Sequence, residues 1–157
     1  MMPGDHLAAM LDGELNCLRH LQDALAAEHE ALLAADAPAI ERATAAKNRS
    51  LGEQATLMQR RQDYLLEAGF AASSEGLADC IRGCANAARL QDLRSELNTL
   101  LQACHEANRL NGRLIGHRQQ QTQSVLNILR QAEQAPATYT DAGGAVNTGP
   151  NRLIGKA

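Results

Sequence analysis

Cys17 and His20 stand three residues apart, and Cys80 and Cys84 four apart. On a helix each pair would share a face, and four such ligands could enclose a tetrahedral zinc ion. Small buried cysteines are also ordinary in leucine-rich helical cores. Packing is therefore the reading, and no metal or other cofactor is expected. Five histidines, His6, His20, His29, His105 and His117, raise phosphoryl transfer on a helical bundle. None is followed closely by the Lys-Gly pair that usually accompanies a reactive histidine of that kind, so they read as ordinary helix-surface residues. There is no P-loop, dinucleotide fingerprint, nucleophile elbow or HExxH. Gly143-Gly144 has no strand before it to make a phosphate cradle. The chain is not expected to be an enzyme.

The remaining candidates act by contact rather than by reaction. Gly116 to Ser124 (GHRQQQTQS) contains no hydrophobic residue, and Val125-Leu126-Asn127-Ile128-Leu129 follows as a compact apolar patch. Asn108-Arg109-Leu110-Asn111-Gly112 interrupts a helical pattern with residues that disfavour helix interiors, Gly by about 1 kcal/mol relative to Ala. Close approach of another helix or a local kink would account for it, and either could shape a binding surface.

Composition says what must position these residues. The 157 residues are 45% hydrophobic but only 2% aromatic. Ala and Leu make up roughly a third of them while Val and Ile are scarce, a balance that favours helix over strand. The expected fold class is all-α: an elongated antiparallel bundle or coiled coil of three long helices plus one short helix, with a flexible C-terminal tail. Lys and Arg total 15 against 18 Asp and Glu, a net charge of -3, and without a basic cluster no nucleic-acid partner is expected. No apolar run approaches the ~20 residues that span a bilayer. Met1 to Asp5 has neither a basic nor an apolar signal region. With cysteines that show no disulfide framework, the expected location is the cytoplasm.

Prolines at 3, 38, 136 and 150 punctuate the chain. Helices are expected at about 5–35, 38–68, 75–84 and 86–135, forming a single domain over 1–135 with a tail over 136–157. Leu11, Leu18, Leu25 and Leu32 recur every seven residues, flanked by Leu7, Leu15 and Leu21, as in a bundle seam. Asp36-Ala37-Pro38 supplies a cap and an early proline, so the first two helices should be antiparallel neighbours. The second helix offers a weaker stripe of Ile40, Ala43, Leu51, Met58 and Leu65, interrupted by Lys47. Its opposite face, Glu41, Arg42, Arg49, Glu53, Arg60 and Asp63, should be solvated. Gly69 should cap its end, and the short helix should bury Leu77 and Ile81 with Cys80 or Cys84. The last helix carries a seam of Leu90, Leu93, Leu97, Leu100, Leu101, Cys104, Ala107, Leu110 and Leu114. At about fifty residues it would span roughly 75 Å, against roughly 45 Å for each of the first two. Its second half is expected to project beyond them, leaving the apolar patch for a partner. A break near Gly112 or Gly116 that folds the patch back into the core is the alternative.

Leu25 to Asp36 (LAAEHEALLAAD), Lys47, Arg60-Arg61 to Leu65-Leu66 and Gly69 resemble the N-terminal half of the FlgN family of flagellar export chaperones. Asn108, Asn111 and Gly112, followed by Leu114-Ile115, resemble its Asn-x-x-Asn-Gly-x-Leu-Ile motif. Thr138-Tyr139 and Gly143 resemble its tail signature, with Thr140 where the family often has Gly. The match spans about residues 7 to 143. The resemblance implies a cytosolic chaperone that binds hook–filament junction proteins, shields their terminal amphipathic helices and releases them at the type III flagellar export gate. It implies a client surface at Leu114, Ile115, Val125, Leu126, Ile128 and Leu129, and contact of Tyr139 with the export gate. A self-associating coiled-coil scaffold, closed through the same patch, is the competing expectation.

Overall fold

Four helices follow one another in the computed structural model: α1 (Pro3–Ala34), α2 (Ala37–Glu67), α3 (Ser74–Arg82) and α4 (Ala87–Gln134). The structure describes the backbone of residues 2–134 and the side chains of residues 2–117. Among the described residues there is no strand, so the protein is all-α, with three long helices and one short one. The chain divides into two compact units, 1–111 and 112–157. The packing that follows belongs to the first.

The leucine repeat of α1 forms the core. Leu11, Leu18, Leu25 and Leu32 are all buried, as are Leu7, Leu15 and Leu21. Leu7, Leu11, Leu15, Leu18, Leu21 and Leu25 pack with Leu65 of α2, Leu77, Cys80 and Ile81 of α3, and Leu90, Leu97 and Cys104 of α4. Ion pairs give the directions. Glu14 reaches Arg61 and Glu28 reaches Lys47, so α1 and α2 are antiparallel. Asp12 reaches Arg89 and Arg19 reaches Glu96, so α4 runs parallel to α1.

The connections follow from local chemistry. Two residues join α1 to α2. Ala35 adopts a left-handed φ of 57°, and the Ala35 and Asp36 amides bond back to Leu32 and Ala31 carbonyls, closing the end of α1. The Asp36 carboxylate then accepts from the Ala39 amide at 3.2 Å, capping α2. Gly69, at φ +89°, ends α2, with the Phe70 amide bonded to the Leu65 carbonyl at 2.8 Å. Ser73 caps α3 through the Gly76 amide. A side chain at Gly76 would collide with the Ala71 carbonyl, so the turn into α3 requires a glycine there.

Two of the expected seams need correction. In α2, Leu51 and Met58 are 44% and 42% exposed, and Ile40 is only half-buried. Ala43 and Leu65 are buried as expected, and Ser50 joins them, with Lys47, Gln54, Leu57 and Arg61 half-buried alongside. Polar residues occupy the seam because α1 presents buried carboxylates to it. In α4, Leu101 and Leu110 are exposed. The real seam is narrower: Leu90, Leu97, Cys104 and Asn111 buried, flanked by the partly buried Leu93, Leu100 and Ala107. The solvated face of α2 is as expected, with Glu41, Arg42, Arg49, Glu53, Arg60 and Asp63 all exposed.

Candidate functional site

Glu28 lies on the same heptad row of α1 as Leu7, Glu14 and Leu21, and none of its surface is exposed. A bare carboxylate in that position would be costly, so its oxygens must be filled. The Thr44 hydroxyl donates to Oε2 at 2.8 Å. The Lys47 ammonium lies 3.1 Å from Oε2 and 3.2 Å from Oε1, and Asn111 Nδ2 donates to Oε1 at 3.0 Å. Burial alone would push the Glu28 carboxyl up. The bonds from Thr44, Lys47 and Asn111, with the Lys47 charge, outweigh it and hold the group below the usual carboxylate range.

Asn111 is as buried as the leucines around it, at 1% exposure. Its amide works in both directions: Nδ2 also donates to the Leu25 carbonyl at 2.9 Å, and Oδ1 lies 3.2 Å from His29 Nδ1. Asn108, one turn earlier and exposed, accepts from Lys47 at 3.3 Å. Lys47, on α2, thus touches both α1 and α4. The apparent interruption of the α2 stripe is the cation that neutralises a buried charge.

The structure therefore brings Asn108 and Asn111 together around Glu28, which the sequence reading had not singled out. A signal was available in the alternation Leu7-Glu14-Leu21-Glu28, which places two carboxylates on a row otherwise made of leucine. Gly112 is exposed, and a Cβ built there meets no described atom within 4 Å. Among the described residues, the motif's contacts are made by the asparagines. Leu114 and Ile115 are half-buried residues of α4. Val125, Leu126, Ile128 and Leu129 fall within the helical span of α4, but their side chains lie outside the described residues, as does all of Tyr139. The expectation that this part of the helix projects to meet a partner also lies outside them.

A second buried pair stands two heptads earlier. Glu14, 1% exposed, accepts from Arg61 Nε at 2.6 Å and Nη2 at 3.2 Å, and from Gln54 at 3.3 Å. The thiols are bonded within the protein. Cys17 donates to the Ser50 carbonyl and Cys84 to that of Cys80. Cys17 and His20 line a groove of about 590 Å³ with Gly13, Gly52 and Glu53. Among the described residues, no three His, Cys, Asp or Glu side chains gather where a metal could be held.

The model of the FlgN family, described as FlgN protein, matches residues 2–147, almost the whole chain. The chain belongs to the FlgN family. A solved structure agrees: the chain is similar to the flagella synthesis protein FlgN of Pseudomonas aeruginosa, with 31% identity and a TM-score of 0.64. That likeness covers 79% of this chain and 95% of the other. No curated protein sequence matches. As a member of the FlgN family, the protein is a flagellar export chaperone, and the family is non-enzymatic. Family membership implies binding to flagellar hook-associated proteins. No described helix is long and apolar enough to cross a membrane.

Proposed function

We propose that this FlgN-family chaperone binds hook–filament junction proteins in the cytoplasm through the later part of α4. Leu114, Ile115, Val125, Leu126, Ile128 and Leu129 receive the apolar face of a client's C-terminal amphipathic helix. The bound chaperone prevents that helix from associating prematurely. It then delivers the client to the type III export gate, where Tyr139 docks. An aromatic side chain, apolar in its body and polar at its hydroxyl, suits such a dock.

The observation that supports this reading is the family match over residues 2–147, which takes in the Asn108–Gly112 motif and both groups of apolar residues that follow it. The test uses purified hook–filament junction protein and the full chain. Ile128→Asp and Leu129→Asp should abolish binding while circular dichroism of the free chaperone stays unchanged. Loss of helicity in those variants would place the patch in the core and end the assignment. Sedimentation over a range of concentrations addresses the scaffold alternative: a persistent dimer broken by the same substitutions would favour self-assembly.

A further inference from the structure

We propose that Asn111 sets the register of α4 on the α1–α2 hairpin. This inference goes beyond client binding and does not depend on it. A repeating seam is open to slippage, because moving one helix by a heptad lays leucine on leucine again. The row Leu90, Leu97, Cys104 and Asn111 is such a repeat, and two of its members already use equivalent sites. Cys104 Sγ donates to the Leu18 carbonyl at 3.6 Å and Asn111 Nδ2 to the Leu25 carbonyl at 2.9 Å. The two acceptors are one heptad apart, as are the two donors. Apolar packing and these carbonyls together do not distinguish the native alignment from its neighbour.

The polar node does. The α1 row that faces it reads Leu7, Glu14, Leu21 and Glu28, all buried, so its period is two heptads rather than one. Displacing α4 by one heptad toward the start of α1 would leave the Asn111 amide the Leu18 carbonyl but set it beside Leu21, which offers no carboxylate. Glu28 would lose one of the two donors to Oε1, keeping that from Lys47, and Lys47 would lose its bond to Asn108. The hairpin has no such freedom, since the two-residue turn at Ala35 and Asp36 ties α2 to α1. A single polar residue at a seam position is a known way to select one alignment among several. The cost of leaving a buried group unpaired provides the selection.

Paired spin labels read the alignment directly in the full chain with Cys84 replaced by alanine, the other three thiols being buried. Labels at Arg19 and Arg109 report α4 against α1. Labels at Asn16 and Arg42 report the hairpin as a control. The parent protein should give one narrow distance for each pair. Asn111→Leu should add a second, distinct α1–α4 distance, as a slide of about 10 Å along the helix axis, the rise of seven helical residues, requires, with the hairpin distance unchanged. The double variant Cys104→Asn/Asn111→Leu moves the amide back by one heptad, so α4 must advance toward the end of α1 to restore it beside Glu28, and the main α1–α4 population should lie at a longer distance than in the parent. Unchanged single distances in both variants would overturn the proposal. Failure of both variants to fold would also overturn it, by making Asn111 a requirement for stability rather than a selector of alignment.

Discussion

The Arg61 guanidinium grips the Glu14 carboxylate through Nε at 2.6 Å and Nη2 at 3.2 Å, with Arg61 14% and Glu14 1% exposed. Removing one partner strands a buried charge, whereas removing both does not. Arg61→Met should lower the unfolding free energy by about 3–5 kcal/mol. Glu14→Leu/Arg61→Met should recover most or all of that loss. A double-mutant cycle by urea denaturation measures both, and a double variant as damaged as the single would contradict the reasoning.

Glu28 should make stability depend on acidity. Its folded-state carboxyl is held below the ordinary value, so the stabilisation is fully present above the unfolded value of about 4.3. It is lost as pH falls through the lower folded value. The melting temperature should therefore fall between about pH 5 and pH 3, and Glu28→Gln should flatten that slope. Equal slopes in the two proteins would mean that other carboxylates carry the acid sensitivity.

Ala35 occupies a left-handed conformation, φ 57°, that glycine adopts without strain. Ala35→Gly should raise stability by about 0.5–1 kcal/mol, the gain in the turn exceeding the added freedom of the unfolded chain. Chemical denaturation with an unchanged m-value would show it.

The thiols should react in a fixed order. Burial pushes Cys17, Cys80 and Cys104 up, which lowers their thiolate fraction, while Cys84 is only half-buried. Timed labelling with a small disulfide reagent at pH 8 should modify Cys84 first and the other three only on unfolding. Early modification of Cys104 would mean that the α1–α4 seam opens readily.

Leucine spacing alone made α1 legible, because each heptad leucine does face the core. The punctuation at Asp36 and Gly69 marked the turns for the same local reason: caps and positive φ are short-range chemistry. The inner face of α2 was not legible, because hydrophobicity is a poor guide where a helix docks through Lys47, Ser50, Gln54 and Arg61. Leu51 and Met58 carry the apolar signal one position away from the true seam, and they sit in the open. Leu51→Gln and Met58→Gln should each change stability by less than about 0.5 kcal/mol, against about 2–5 kcal/mol for Leu65→Ala. At the candidate site, Asn108 and Asn111 were visible as poor helix formers. Glu28 was hidden because a charged residue on a helix usually marks the solvated side, and only its partners on two other helices reverse that rule.

A helix that buries Ala43, Ser50 and Leu65 as its only fully covered residues has little to lose to water when it lifts away. Detachment of α2 would expose mainly groups already content with solvent, so it should carry a small heat-capacity change and respond weakly to urea. Added salt should ease it, to the extent that the half-covered Arg61 and Lys47 are screened. Amide exchange should then report α2 as the first long helix to open and α1 as the last. The molecule would thus come apart in stages, with its charged joint giving way before its oily one.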